Sequence, residues 1–350
     1  MTTATPAGRS PADLRDPAQL LAALPYLLGF RPGKSVVALG HRIPGDRLGL
    51  VLRADIPRRE DRARQAQALA PRMAAGTHVG VTLVVVGGRR RSGSPPPHAG
   101  LVTKLTDALG DFALPVFHAL WTPRITAGAP WACYTEPDCG GELPDPRATV
   151  AAAAATADGL VVFDSRESLA ALLAPRSPEA LTRRAALLAQ APSPPSPAEA
   201  ASAVRAAFDR QLRGEGPPTD EQAVELATAL TLPEVRDVCL AMAVPPGTAA
   251  AREAERLWLT LVRELPAPER AEPAALLGYA AYMRGNGAFA GMALDNALAA
   301  DPGHLLATLL QQVLNRGTPP EVLRGLAETA AADIAAFGLE PADFETGQAA

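Results

Sequence analysis

The sequence predicts an α/β N-terminal domain followed by an all-α helical domain. Short β-branched runs alternate with helical patterns over the first half of the chain, which is typical of an α/β fold. Strand patterns end before the proline-rich stretch near residue 191, and only helical periodicity follows it. The chain has 350 residues, more than one hydrophobic core usually accommodates, so we expect two domains.

Composition sets the expected domain boundaries. Serine and proline without apolar periodicity at residues 191–198 predict a linker. The α/β domain is then expected to span residues 18–190, and the helical domain residues 199–340. Residues 1–17 are polar and lack the apolar run of a secretory signal, so they predict a disordered lead-in. Residues 341–350 are expected to form a flexible tail.

The first expected elements are a short helix and a β-hairpin. Apolar residues over 20–28 predict a helix that Pro25 breaks, because proline removes a backbone donor. Strand patterns follow over 35–40 and 47–56, and Pro44-Gly45 between them predicts a turn. The two strands are therefore expected to pair in antiparallel orientation.

The chain then alternates between helix and strand. Helical spacing over 58–75 precedes a β-branched run over 79–86, which predicts a strand buried on both faces. Residues 87–97, including the three arginines at 89–91, predict a solvated loop. The remaining predicted elements are a helix over 99–109, a strand over 114–121, a helix over 148–157, a short strand over 160–163 and a helix from about Ser165. Asp164 or Ser165 is expected to cap that last helix.

Helical signals dominate the C-terminal half. Thr219 and Gln222 have the spacing of a capping box. One amphipathic helix is marked by Ala254, Leu257, Trp258, Leu261, Val262 and Leu265. Segment 271–304 carries the small residues and proline of a tetratricopeptide-like helical hairpin at Leu277, Gly278, Ala290, Ala297 and Pro302. Since we find one such unit, we expect a hairpin inside a small bundle.

Charge and cysteine content narrow the function classes. The chain has 33 basic and 37 acidic residues and a formal net charge of -4, which disfavours nucleic acid as a partner. No apolar window approaches the length of a membrane span, so we expect no membrane partner. The chain has three cysteines, and this small, odd number does not suit a disulfide framework. The absence of such a framework favours a cytoplasmic location.

Residues 29–35, GFRPGKS, look at first like a phosphate-binding loop. That loop needs four residues between its first glycine and the Gly-Lys pair, and here only three intervene. It should also open a helix, whereas this segment precedes a strand. We therefore predict a turn in which Pro32 fixes the backbone, Gly33 adopts positive φ and Ser35 bonds locally. Nucleotide binding here is the least favoured hypothesis.

Two groups of residues are candidates for ligand binding. Arg53 and Asp55 share one face of a strand, where they form either an anion-binding or acid/base site or a charged strand edge. Cys133 and Cys139 are separated by five residues, more than the usual spacing of metal-binding pairs. An irregular zinc site with His118, a cysteine nucleophile with His118 as base, and two plain loop thiols all remain open, and the spacing favours the last. We predict no metal and no cofactor, and we assign no catalytic residue.

Four blocks carry a family resemblance: LLAALPYLLGFRPGKSVVALG at 20–40, LRADIP at 52–57, SRESLAALLA at 165–174, and the segment 278–310. They resemble the actinobacterial domain of unknown function family 4192. The family-motif residues, which we interpret as structural, are Pro25, Tyr26, Gly29, Phe30, Pro32, Ser35, Ser165, Arg166 and Glu167. The resemblance implies no reaction, ligand or catalytic residue, because the family has none assigned.

The leading functional hypothesis is a regulatory or protein-interaction protein. The α/β domain would hold a small ligand, and the helical domain would offer a protein partner a groove. The alternative is a hydrolase or transferase whose site gathers Arg53, Asp55, His118 and the loop 133–141 at the strand ends, where open sheets usually bind ligands.

Overall fold

The structure, a computed structural model, describes residues 16–42, 47–91, 93–157, 160–191 and 195–325. Most of the predicted lead-in, the predicted tail and the turn at Pro44-Gly45 lie outside these residues. Contacts divide the chain into two compact units. The first, termed the α/β unit, comprises Met1–Leu169, Gly285–Ala288 and Val313–Pro319. The second, termed the helical unit, comprises Ala170–Arg284, Phe289–Gln312 and Pro320–Ala350.

The boundary of the units does not coincide with the predicted linker. The main division lies between Leu169 and Ala170, ahead of residues 191–198. The helix that follows the linker stretch begins at Pro197, and Ser196 and Glu199 form its capping box. The division into independently folding domains stays a prediction.

The α/β unit is built on a six-stranded mixed sheet. Its strands are β1 (Ser35–Arg42), β2 (Arg47–Asp55), β3 (Gly80–Val86), β4 (Val116–Thr122), β5 (Pro130–Cys133) and β6 (Gly140–Glu142). Their order is β2-β1-β3-β4-β5-β6, with β3 and β4 parallel and all other neighbours antiparallel. The predicted hairpin of β1 and β2 is confirmed, as is the burial of β3 along its whole length.

Two strands lie where the sequence predicts only a loop. β5 and β6 form a hairpin around residues 134–139. Gly140 and Gly141 hide the strand signal because glycine has low β-propensity. A Cβ at Gly141 would lie 3.2 Å from the Trp131 indole nitrogen, so the glycine leaves room for the ring. The prediction of a short strand over 160–163 is wrong. Of these residues, Phe163 forms an isolated parallel bridge with Phe30.

Among the described residues up to Ala170, five α-helices accompany the strands: α1 (Pro17–Leu28), α2 (Arg62–Ala74), α3 (Ala99–Gly110), α4 (Val150–Ala157) and α5 (Arg166–Ala170). The prediction that Pro25 breaks the first helix is wrong. Pro25 lies inside α1, in its last turn, and the helix ends at Gly29 with φ 75°. Glycine adopts this left-handed conformation without the steric penalty of a side chain, so it ends the helix.

A half-buried histidine joins α2 to the β1–β2 hairpin. His78 Nδ1 donates to the Met73 carbonyl over 2.9 Å, and its Nε2 accepts from the Leu50 amide over 3.0 Å. Burial lowers the pKa of His78, which favours the neutral ring that this donor and acceptor pattern requires. A Cβ on any of three glycines would lie 2.0–2.5 Å from the ring: Gly40, Gly49 and Gly76.

We expect Gly49→Ala to destabilise the α/β unit. Its new methyl would lie 2.5 Å from His78 Nε2, and the hydrogen-bonded ring cannot move away freely. Overpacking of this kind costs about 1–3 kcal/mol, measurable by urea-induced unfolding of the full chain. Gly110→Ala is the control, since a Cβ there meets nothing within 4 Å. Equal stability of both variants would contradict the packing role of the glycine.

Eight α-helices follow within the described residues: α6 (Pro178–Leu188), α7 (Pro197–Leu212), α8 (Asp220–Ala229), α9 (Pro233–Ala241), α10 (Ala249–Glu264), α11 (Ala271–Met283), α12 (Gly287–Ala300) and α13 (Leu305–Arg316). They belong to the helical unit, except for the start of α12 and the end of α13, which belong to the α/β unit. A further helical segment covers 320–325. Within the described part of the chain, no helix is both long and apolar enough to cross a bilayer.

The helical predictions hold at the level of individual contacts. Thr219 and Gln222 form the predicted capping box of α8. The apolar face predicted for α10 is buried throughout. At Gly278 of α11 a Cβ would lie 2.8 Å from Leu294 of α12, so the small residue permits the close approach expected of a helical hairpin.

A buried arginine ties three helices of this unit together. The Arg184 side chain on α6 is 6% exposed. Its Nε donates to Asp220 of α8 over 2.8 Å, and its Nη1 donates to both the carboxylate and the carbonyl of Glu264 at the end of α10. The Glu264 side chain is only 5% exposed, so its charge depends on this guanidinium for compensation.

Arg184→Met should strongly destabilise the helical unit, because it leaves the Glu264 carboxylate buried without its main partner. Breaking a buried pair from one side costs about 3–5 kcal/mol, which urea-induced unfolding resolves. Arg183→Met is the matched control, since Arg183 binds the same Asp220 but is 59% exposed. A similar loss in both variants would refute the assignment.

Candidate functional site

Ser35, Arg53 and Asp55, three polar residues singled out in the sequence, lie at one edge of the sheet. Ser35, at the start of β1, lies opposite Asp55 at the end of β2 and Val86 at the end of β3. Val86 in turn lies opposite Thr122 at the end of β4. We term this the Ser35 edge, where one strand begins and three neighbouring strands end.

Arg53 is the centre of this edge. Its side chain is 7% exposed, and its Nη2 pairs with Asp55 over 2.6 Å. Its Nε donates to Ser35 Oγ over 2.8 Å, and Ser35 Oγ in turn donates to the Gly33 carbonyl. The guanidinium carbon lies 6.0 Å from the centroid of the Phe30 ring, within cation-π range. Phe30, Ser35, Arg53 and Asp55 are termed the Arg53 cluster.

A distant segment of the chain joins the cluster through the backbone. The Arg31 amide donates to the Phe163 carbonyl, and the Phe163 amide donates to the Gly29 carbonyl, both over 2.9 Å. Arg31 Nη1 also pairs with Asp164 over 2.6 Å. Of the two predicted caps, Asp164 makes this ion pair and Ser165 caps the helix. The Ser168 amide donates to Ser165 Oγ over 3.1 Å.

Glu167 completes the assembly at the start of α5. The pKa of Glu167 lies below its usual value because its own amide and the Ser165 hydroxyl donate to the carboxylate. The charges of Arg166 and Arg53 lower it further. Three blocks of the sequence, 20–40, 52–57 and 165–174, are therefore brought together around one buried guanidinium.

The other motif residues lie around this assembly. Pro25 is buried in α1, Tyr26 is half-buried, and Pro32 is buried ahead of β1. A Cβ at Gly29 would lie 3.5 Å from the Asn286 side chain. These positions agree with the interpretation that the residues shape the backbone, which stays a prediction.

The lysine-bearing segment 29–35 forms a turn into β1. The positive φ is found at Lys34, at 44°, rather than at Gly33 as predicted. The backbone of Lys34 is closely packed here, since a Cβ at Gly87 would lie 3.2 Å from Lys34 Cα, and the Lys34 carbonyl accepts from the Ile56 amide. The predicted local bond of Ser35 is present, to the Gly33 carbonyl over 2.8 Å.

The two loop cysteines lie side by side in the β5–β6 hairpin. The Cys133 amide donates to the Cys139 carbonyl over 2.9 Å, and Cys133 Sγ lies 3.2 Å from Thr135 Oγ1. Both thiols are free, as is that of Cys239. Across the described ranges of the chain, no group of three or more His, Cys, Asp and Glu side chains is arranged to hold a metal ion.

The strand order separates the two candidate groups. Arg53 lies on β2, His118 on β4 and Cys133 on β5. With about 4.8 Å between neighbouring strands, Arg53 is roughly 14 Å from the strand of His118 and roughly 19 Å from that of Cys133. The structure therefore brings Arg53 and Asp55 together, and Cys133 and Cys139 together, but it does not form the single site in which all five residues meet.

Phe30 and Ser35 are partners of Arg53 that the sequence does not predict, since it indicates a family-motif role for both and a local turn bond for Ser35. The available signal was the hairpin itself, since antiparallel pairing places Ser35 diagonally across from Arg53. The contact of Phe163 with Phe30 has no comparable local signal.

Comparison with known protein families finds a family that matches most of the chain. The model of the domain of unknown function (DUF4192) family matches residues 17–321. No curated protein and no solved structure matches the chain.

We expect Ser35→Ala to lower the free energy of unfolding, because it removes the acceptor of the buried Arg53 Nε. Leaving such a donor unsatisfied costs about 1–3 kcal/mol in urea-induced unfolding. Arg64→Met is the control: the Arg64 side chain is 81% exposed, and an exposed ion pair contributes at most about 1 kcal/mol. A loss in Arg64→Met as large as that in Ser35→Ala would contradict the central position of the serine.

Proposed function

The chain belongs to the DUF4192 family, and from the geometry of the Arg53 cluster we propose that it is a regulatory protein that binds a small anion. One observation carries the proposal. The Arg53 side chain is 7% exposed, and its polar contacts in the part of the chain that the structure describes are made by Nε, with Ser35, and by Nη2, with Asp55, which leaves Nη1 for a ligand. A buried guanidinium with unused donors is a recognition group for a carboxylate or phosphate oxygen.

The surroundings hold this guanidinium in place before any ligand arrives. Ser35 fixes Nε, Asp55 fixes Nη2 and the Phe30 ring lies against the guanidinium. An arginine restrained in this way loses little side-chain entropy when it binds, which favours affinity. Its low exposure also weakens solvent screening of its charge.

The charges beside Arg53 favour a small ligand over a polyanion. Two exposed carboxylates flank the edge, since the Asp55 and Asp164 side chains are 82% and 83% exposed. They repel an extended phosphate backbone more strongly than a single anionic group at Nη1. A ligand there would contact three sequence blocks at once and stabilise their junction, which supports a regulatory role.

The proposal is tested by thermal unfolding of the full chain with phosphate, citrate and succinate as probes. An anion present at 100 times its Kd stabilises the native state by about 2.7 kcal/mol, which raises the Tm by several degrees. We expect at least one probe to raise the Tm of the wild type. Arg53→Lys should remove that rise, because lysine offers no equivalent of Nη1.

Arg64→Lys is the matched control, since Arg64 lies in the same unit and is 81% exposed. It should keep the full ligand-induced rise. If Arg53→Lys does not fold, Ser35→Ala is the second variant, and its rise should be reduced. An equal rise in the wild type and in the folded Arg53 or Ser35 variant would overturn the proposal, as would no rise with any probe.

The helical unit supplies the surface proposed for a protein partner. Leu305 and Leu309 lie four residues apart on α13 and are 70% and 50% exposed. Apolar side chains four apart share one helix face, so these two leucines form the apolar surface on which the proposed contact would centre.

The hydrolase or transferase alternative is not proposed, because it needs Arg53 and Cys133 in one site, and their strands are roughly 19 Å apart.

A further inference from the structure

Cys133 and Cys139 follow directly on the paired residues of the β5–β6 hairpin. Beyond the pairs Trp131–Gly141 and Ala132–Gly140, the Cys133 amide donates to the Cys139 carbonyl over 2.9 Å, and the Cys139 amide donates to the Glu136 carbonyl. The two side chains are also close enough for a hydrogen bond between their thiols. Residues bonded across antiparallel strands have Cα atoms about 5.5 Å apart, which lies within the range of about 4.4–6.8 Å that disulfides span.

We propose that Cys133 and Cys139 form a peroxide-sensitive thiol pair that closes a reversible disulfide across the β5–β6 hairpin. The oxidant is a hydroperoxide, with hydrogen peroxide as the simplest case. The proposal is independent of the anion site, because the pair lies on different strands from Arg53.

The two thiols have different environments, which assigns their roles. Burial raises the pKa of Cys133, but hydrogen bonds from the Thr135 hydroxyl and from the backbone of Thr135, Glu136 and Ala119 outweigh it, so the net shift is downward. Burial raises the pKa of Cys139, and the negative charges of Cys133 and Glu136 raise it further. Cys133 is therefore the attacking thiolate and Cys139 the thiol that resolves it.

The reaction balances with the peroxide alone. The Cys133 thiolate attacks one peroxide oxygen, the S–O bond forms, the O–O bond breaks, and hydroxide leaves and is protonated to water. Cys139 then loses its proton and attacks the Cys133 sulfur, so that the S–S bond forms, the S–O bond breaks and a second water leaves. Two thiols and one peroxide give one disulfide and two waters.

The pair lies beneath the exposed tip of the hairpin. Cys133 is 4% exposed and Cys139 is partly exposed, and residues 135–138 of the turn between them are all exposed. The third cysteine offers an internal comparison: Cys239 on α9 is 1% exposed, and burial raises its pKa. A buried thiol of raised pKa reacts slowly with peroxides.

The test exposes the folded, reduced full chain to hydrogen peroxide, alkylates the remaining thiols and maps the peptides by mass. We expect a Cys133–Cys139 linked peptide, lighter by two hydrogen atoms than the reduced pair and restored by dithiothreitol. Both thiols should be lost about ten-fold faster or more than the thiol of Cys239. No linked peptide, or loss of all three thiols at one rate, would overturn the proposal.

Two variants separate the steps. Cys139→Ser lacks the resolving thiol, so Cys133 should accumulate as a sulfenic acid that dimedone traps. Cys239→Ser should form the Cys133–Cys139 disulfide at the wild-type rate. Sulfenic acid found on Cys239 rather than Cys133, or a disulfide that forms only between chains, would refute the pairing. Circular dichroism of each variant verifies that the reacting protein is folded.

Discussion

A guanidinium that is removed from water requires partners, and at the Ser35 edge Arg53 obtains them from segments far apart in the sequence. Ser35 comes from the start of β1, Asp55 from the end of β2 and the Phe30 ring from the turn before β1. Phe30 is in turn bridged through its backbone neighbours to Phe163. Because an unpaired buried charge is costly, the arginine can be buried only where these segments meet.

The same constraint recurs elsewhere in both units. Arg184 is held by Asp220 and Glu264, which come from two other helices. His78 is held by a carbonyl and an amide, and three glycines make room for its ring. In each case one polar side chain with satisfied hydrogen bonds specifies how several elements pack, in a protein whose apolar core is built chiefly from small and aliphatic side chains.

The two candidate sites of the α/β unit differ in chemistry as well as position. At the Arg53 cluster a fixed positive charge and unused donors suit reversible recognition of an anion. At the β5–β6 hairpin two neighbouring thiols suit oxidation and reduction. Their separation across the sheet means that the proposed anion binding and the proposed thiol oxidation would be separate properties of the unit.

The sequence predicts those parts of the fold whose signals lie within a few neighbouring residues. The buried β3, the β1–β2 hairpin, the capping box at Thr219 and the apolar face of α10 rest on neighbouring residues, and the sequence predicts them correctly. The β5–β6 hairpin has no such signal, because β5 and β6 are four and three residues long and β6 begins with two glycines. The spacing of Cys133 and Cys139 does not fit a metal site, and only the hairpin brings the Cys133 amide to the Cys139 carbonyl.

The sequence by itself determined the fold class, most element types and the family, because hydrophobic periodicity, caps and turn residues act within a few positions of the chain. Only the tertiary structure decided which side chains meet. Strand order separates Arg53 from Cys133, and a single backbone bridge brings Phe163 to Phe30. The physical reason is that such contacts depend on register and long-range packing, which residue spacing along the chain does not encode.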